Sequence, residues 1–292
     1  MLDIEEGRDG AAGADLVRRL LPLMLEEGPL DGAVDRGPHT AVVVDTETTG
    51  LSRTDACVVE LAMRRFRFTD DGTITHLGRT FGWLQDPGKP LSSETVRLTK
   101  LTDEMVRGQS IDVATATTVL RSASVVIAHN AGFDRWWVEQ LLPDAAGLPW
   151  ACSMTEIDWR ELGYDSRVLG YLLCQAGYYH HGHRAGADVD AVIQLLRQRD
   201  ADGRTHLSRL LETSSRPSWI VRAIGAAFSS KDALKDRGYR WDADHQCWWR
   251  EIQDKDRMAE EWWLSANVYG PDHRPKALGP EFVSVSAMSR FS

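Results

Sequence analysis

The stretch Ala41-Val42-Val43-Val44-Asp45-Thr46-Glu47-Thr48-Thr49-Gly50-Leu51 decides how this chain is read. Four apolar, mostly β-branched residues in a row predict a short strand covered on both faces, because a strand with one wet face alternates instead. The run then breaks into Asp45-Thr46-Glu47 and a turn-forming Thr48-Thr49-Gly50. Side chains alternate along a strand, so Asp45 and Glu47 point to the same side. Two ionised carboxylates held that close repel one another unless a cation lies between them. Hard divalent ions such as Mg²⁺ or Mn²⁺ suit such oxygen ligands. Taken alone, the same residues are also ordinary chemistry for a solvated strand-to-turn junction.

Working outward, residues 58–68 and 76–84 are β-rich runs on either side of the Asp70-Asp71-Gly72 turn, and predict a hairpin. Residues 111–120 read as a helix, 125–128 as a second buried strand, 133–142 as the helix leaving it, and 150–153 as a third short strand. Helices follow at 168–176 and 187–197, the latter with Val189, Val192, Ile193 and Leu196 at core spacing. An antiparallel start followed by alternating β and α elements predicts an α/β fold, a mixed sheet flanked by helices.

Two of these elements carry further acids. The second buried strand ends at His129-Asn130-Ala131-Gly132-Phe133-Asp134, which puts an acid at the start of a helix. His183-Arg184-Ala185-Gly186-Ala187-Asp188 does the same for the helix of 187–197. Either acid can simply complement a helix dipole, and either histidine can be a structural polar residue.

Together the three segments resemble the three motifs of the DEDDh (DnaQ-like) 3′–5′ exonucleases. Asp134 lies 89 residues after Asp45, and Asp188 a further 54 on; both intervals suit that family. Leu98-Thr99-Lys100-Leu101-Thr102-Asp103-Glu104-Met105 is similar to its segment between the first and second motifs, and the likeness spans about residues 41–198. The resemblance implies an RNase H-like fold with a five-stranded mixed sheet, and two Mg²⁺ or Mn²⁺ ions held by Asp45, Glu47, Asp134 and Asp188. By the family pattern Asp45 bridges both ions, Glu47 and Asp188 share the first, and Asp134 supports the second through water. Two such ions ~4 Å apart can flank a scissile phosphodiester. His183 is implied as the general base; its unperturbed pKa near ~6.5 suits proton removal at neutral pH. The product would be a nucleoside 5′-monophosphate released from a 3′ end. Thr48, Thr49, Leu51, Glu94, Thr99, His129, Asn130 and Phe133 stand where a terminal nucleotide would be contacted. Asp190, two residues beyond Asp188, is expected to be solvated. His180, His181 and His183 form a histidine cluster, but the neighbouring carboxylates favour hard cations over a transition metal.

The rest of the 292 residues set the context. With 42% hydrophobic and 26% charged residues the chain is globular in composition, and no run of ~18 apolar residues offers a membrane helix. The start is acidic rather than a basic, apolar leader. Four separated cysteines, Cys57, Cys152, Cys174 and Cys247, fit neither a disulfide scaffold nor a structural zinc site. A reducing cytoplasm is the expected location. A net charge of −9 argues against coating polyanions, yet leaves room for one local strand-end site.

Four segments are expected. Residues 1–40, with nine acids against four bases, read as an acidic arm with one amphipathic helix between Asp15 and Glu26, interrupted by Pro22. Residues 41–212 form the exonuclease domain. Residues 219–268, which hold six of the eleven tryptophans, form a small α+β accessory domain, and 269–292 an irregular, Pro- and Gly-rich tail. Most of those tryptophans are expected in a small core that needs large side chains. Aromatics interleaved with Arg and Lys can also stack single-stranded bases. A chain cut near Ser214 keeps every candidate ligand. The expected partner is a single-stranded DNA or RNA 3′ end, with a protein docking through the accessory domain as a further option and no membrane. The alternatives are a non-catalytic nucleic-acid-binding or scaffold protein, and a proofreading subunit on a DNA polymerase.

Overall fold

A computed structural model describes residues 19–292, apart from 181, 183, 244, 271, 272, 278 and 292. Its larger sheet is built from β1 (His39–Thr48), β2 (Val58–Phe68), β3 (Ile74–Leu84), β4 (Val125–Ala128) and β5 (Trp150–Cys152). The spatial order is β3-β2-β1-β4-β5, antiparallel across β1–β3 and parallel from β1 to β5. The five expected strands are joined by a sixth, the two-residue edge Gly28–Pro29, which pairs with β3 at Leu77 and His76. The hairpin turns where the sequence marks it, with Gly72 at φ +78°, a conformation that suits glycine.

The apolar start of β1 is covered on both faces, as its composition demands. Ala41 and Val43 pack with Val189, Val192 and Ile193 of the long helix Ala185–Arg197. Val42 and Val44 pack on the opposite side with Val119, Leu120, Trp137 and Val138, from the helices Val113–Arg121 and Ala131–Leu141. In chain order the longer helices of this unit are α1 (Ser93–Thr99), α2 (Val113–Arg121), α3 (Ala131–Leu141), α4 (Leu169–Gln175), α5 (Ala185–Arg197) and α6 (His206–Ser215), with a single turn at Asp103–Val106. The alternation of β1 thus sends Asp45 and Glu47 toward α5, and Thr46 between them toward α3.

The C-terminal unit is a four-stranded antiparallel sheet. Its strands are β6 (Ser218–Ala223), β7 (Arg240–Asp242), β8 (Cys247–Gln253) and β9 (Glu281–Val285), in the order β7-β8-β6-β9. Helices α7 (Lys231–Asp236) and α8 (Arg257–Asn267) accompany it. Its core joins Val221, Ala223, Leu234, Tyr239, Ile252, Leu264 and Val268, with Trp219, Trp248 and Trp263 packed against it. Trp241 and Trp262 stay exposed, at 53% and 76%. Trp248 and Trp249 point to opposite faces of β8, as adjacent strand residues must.

Two expectations are corrected here. The tail is not irregular throughout, because Glu281–Val285 completes the C-terminal sheet against β6. The residues after it then run along the nuclease unit. Trp150 donates its backbone N–H to the Ala287 carbonyl at 2.8 Å. Arg135 donates to the carbonyls of Met288 and Arg290 at 2.7 and 2.6 Å. The buried Arg290 in turn reaches Glu156, Glu251, Ser218 and the carbonyls of Ser214 and Arg216.

The second correction concerns the arm. Residues 19–26 are not helical; Leu21–Pro22 pairs in parallel with Tyr178–Tyr179, and Leu23 and Leu25 pack on the main core. Pro22 removes a donor and clashes with a preceding helical turn, so Leu23 and Leu25 are partly covered from an extended backbone while Leu21 and Met24 stay exposed. The earlier part of the expected helix lies outside the described residues.

Candidate active site

Asp45 and Glu47 close β1, and Asp188 enters from the first turn of α5. One carboxylate oxygen from each of the three lies within 4.8 Å of the others, close enough to share one cation. Asp134 comes from the first turn of α3 and is only 3% exposed. It is held from β1, since Thr46 donates its N–H at 3.0 Å and its hydroxyl at 2.8 Å to the same Asp134 oxygen. The four acids therefore converge from one strand end and two helix starts, on two sides of β1.

Burial and mutual repulsion mark this set. Withdrawal from bulk solvent raises the Asp45 carboxyl well above its ordinary range, with Asp134, Asp188, Glu47 and Glu60 adding to the rise. Glu47 is pushed up to about 7, first by burial, then by Asp188, Glu60 and Asp134, against a lowering pull from Arg184. Asp134 is pushed up to about 7 by burial and by Asp188, although the Thr46 hydrogen bonds oppose it. An oxygen-only donor set whose negative charge is this costly fits hard divalent cations, which would neutralise it.

Glu60 was not singled out from the sequence, yet it lies opposite Glu47 in the β1–β2 ladder and is 6% exposed. Arg184 makes a two-pronged contact with it, with Nη2 at 3.0 Å from Oε1 and Nε at 3.2 Å from Oε2. The sequence held a signal for it, a lone acid inside the otherwise apolar 58–63 run. Asp190 is not solvated, contrary to expectation. Its Oδ1 accepts from the buried Arg64 at 2.8 Å, because this turn of α5 faces β2 rather than water.

The histidines divide. His183 and His181 lie outside the described residues. His180 Nε2 stands 2.6 Å from Asp188 Oδ1. His129 has both ring nitrogens engaged, Nε2 donating to the Arg167 carbonyl at 2.8 Å and Nδ1 paired with the Ser153 hydroxyl at 2.9 Å. Burial lowers its pKa, so its geometry is that of a satisfied structural histidine.

The expected nucleotide contacts also divide. Leu51 is 83% exposed, four residues after Glu47, and Asn130 is exposed at the N-cap of α3 in a left-handed conformation. Phe133 is partly buried near Trp137. The Thr48 hydroxyl is spent on the Gly50 carbonyl, and the Thr49 hydroxyl accepts from the Cys57 N–H. Glu94 is exposed at the start of α1. Thr99, by contrast, is 2% exposed and donates to the Thr95 carbonyl, which gives it a packing role.

Comparison with known proteins follows this geometry. A family model described as exonuclease, RNase_T, matches residues 42–196. A DNA polymerase III PolC-type of Streptococcus suis is 35% identical over 196 residues, covering 63% of this chain and 12% of that protein. That of Lacticaseibacillus paracasei is 38% identical over 164 residues, covering 53% and 11%. The chain thus spans only about an eighth of the curated relatives it matches. Among solved structures, E. coli exonuclease I in complex with a dA16 oligonucleotide aligns with 86% of this chain and 64% of that one, at 14% identity and a TM-score of 0.49. Exonuclease X in complex with 5′ overhanging duplex DNA aligns with 57% and 99%, at 21% identity and a TM-score of 0.41.

Proposed function

Since the chain belongs to the DEDDh exonuclease family, we propose that it is a metal-dependent 3′–5′ exonuclease hydrolysing single-stranded 3′ ends to nucleoside 5′-monophosphates. The observation that carries this reading is the convergence of Asp45, Glu47 and Asp188 within 4.8 Å, with Asp134 fixed beside them through Thr46. These four carboxylates would hold two Mg²⁺ or Mn²⁺ ions. When bound, such ions acidify a water and stabilise negative charge on a departing oxygen.

The chain's own residues supply the rest. His183 takes the proton from the attacking water at a ring nitrogen, a role suited to a group titrating near neutrality. Leu51, exposed and four residues after Glu47, is the apolar side chain on which the face of a terminal base would rest. Glu60 is ion-paired to Arg184, which partly offsets the charge of a fifth carboxylate beside Glu47.

The curated relatives are DNA polymerases, which favours DNA over RNA as substrate and keeps a proofreading role as the second reading. The test uses single-stranded DNA and RNA labelled at either end, with Mg²⁺, Mn²⁺ or a chelator. A 3′ label should leave first as a mononucleotide, and a 5′ label should mark a descending ladder. Release of the 5′ label first, or hydrolysis undiminished by excess chelator, overturns the proposal.

A further inference from the structure

Helix α5 delivers Asp188 to the carboxylate cluster, and it is tied to β2 by two ion pairs of opposite polarity, each with its strand partner buried. At its start, Arg184 and the Ala185 N–H both bind Glu60, the N–H at 3.2 Å from Oε2. Six residues later, Asp190 receives Arg64 at 2.8 Å, while the Arg64 Nε donates to the Gly78 carbonyl at 2.9 Å. Glu60 and Arg64 are four apart on one strand, so they share a face. Asp188 lies between the two anchored positions on the helix. The strand offers an acid and then a base; the helix answers with a base and then an acid. A slide of the helix by one turn, ~5.4 Å, separates both pairs and carries Asp190 toward Glu60.

We propose that these two pairs act as a register clamp, positioning residues that set α5 on the sheet so that Asp188 meets Asp45 and Glu47. Apolar packing alone does not fix that register sharply. Val189, Val192, Ile193 and Leu196 bury the same face of α5 against the sheet, and contacts of that kind tolerate adjustment. Ion pairs withdrawn from water contribute little net stability, because desolvation offsets their attraction, and fixing register is a use such pairs are known to serve. The inference rests on the exonuclease reading, since it concerns where one of the proposed cation ligands sits.

The Arg64–Asp190 pair is the cleaner one to perturb, because Glu60 also adds charge beside Glu47. The variant Arg64→Met with Asp190→Leu removes both charges together, so neither is left without its counter-charge, although the Gly78 carbonyl loses the Arg64 donor. Mn²⁺ affinity, read by electron paramagnetic resonance, should weaken about tenfold or more, while the melting temperature without metal changes by only a few degrees. The reversed pair, Arg64→Asp with Asp190→Arg, should bring the affinity back to within about threefold of wild type. Wild-type Mn²⁺ affinity in the apolar double variant overturns the clamp. So does an affinity loss that the reversed pair, still folded, does not restore. If the apolar variant does not fold, Asp190→Asn is measured in its place under the same criteria. Failure of the wild-type protein itself to bind Mn²⁺ counts against the exonuclease reading, not against the clamp alone.

Discussion

Replacing Arg290 by Met should destabilise the protein far more than its place near the chain end suggests. Its side chain is 6% exposed, against 8% for Glu156, and the two meet at 2.6 Å. Glu156 already sits where burial raises its pKa, and besides Arg290 its carboxylate accepts the Cys152 N–H at 2.6 Å. Removing the guanidinium leaves a buried carboxylate without its counter-charge and frees the carbonyls of Ser214 and Arg216. Breaking such a pair from one side costs ~3–5 kcal/mol. At roughly 2–4 °C per kcal/mol for a domain of this size, the melting temperature should fall by roughly 6–20 °C. Chemical and thermal unfolding followed by tryptophan fluorescence give both values. The decisive comparison adds Glu156→Gln to Arg290→Met, which removes the stranded charge. The double variant should be more stable than Arg290→Met alone, with a coupling of ~0.5–3 kcal/mol. A single variant within ~1 kcal/mol of wild type, or a double variant that is worse by the full sum of the singles, would refute the reasoning.

Three further outcomes are expected. A chain ended after Ser214 should lose stability and activity together, since Arg135, next to Asp134 on α3, loses the carbonyls of Met288 and Arg290 that it now binds; an unchanged urea midpoint and unchanged turnover on a dinucleotide would show that the tail is dispensable. Without metal, stability should fall as pH rises from about 4.5 to 7: Glu47 in the folded protein keeps its proton up to about 7, whereas the unfolded chain releases it near 4.5, so its contribution is complete below 4.5 and gone above 7. That contribution is on the order of 3 kcal/mol; Glu47→Gln should flatten the slope, Mn²⁺ should reverse it, and an equal slope in wild type and variant contradicts the assignment. Finally, His183→Ala should lower turnover by ~10²–10⁴-fold with Mn²⁺ affinity retained; if His180→Ala alone does so, the base is the imidazole seen against Asp188.

The sequence by itself carried the nuclease unit. The covered run 41–44, the alternation that aligns Asp45 with Glu47, and the acids opening two later helices depend on local pattern alone, and local pattern survives folding. Short-range physics also placed the Gly72 turn and split Trp248 from Trp249. The tertiary structure decided everything that needed a distant partner. Glu60 and Arg184 are 124 positions apart, Arg64 and Asp190 126, and Glu156 and Arg290 134. A charged residue in a sequence reads as solvated until its counter-charge is located, which is why Asp190 was expected in water and is found on β2. The tail and the arm follow the same logic. Glu281–Val285 holds the β-favouring Phe282, Val283 and Val285, but only the free edge of β6 makes it a strand. Leu21–Pro22 has helical spacing, but proline geometry and the edge offered by Tyr178–Tyr179 hold it extended. Pattern fixes which residues seek burial, whereas pairing across the fold fixes what they bury against.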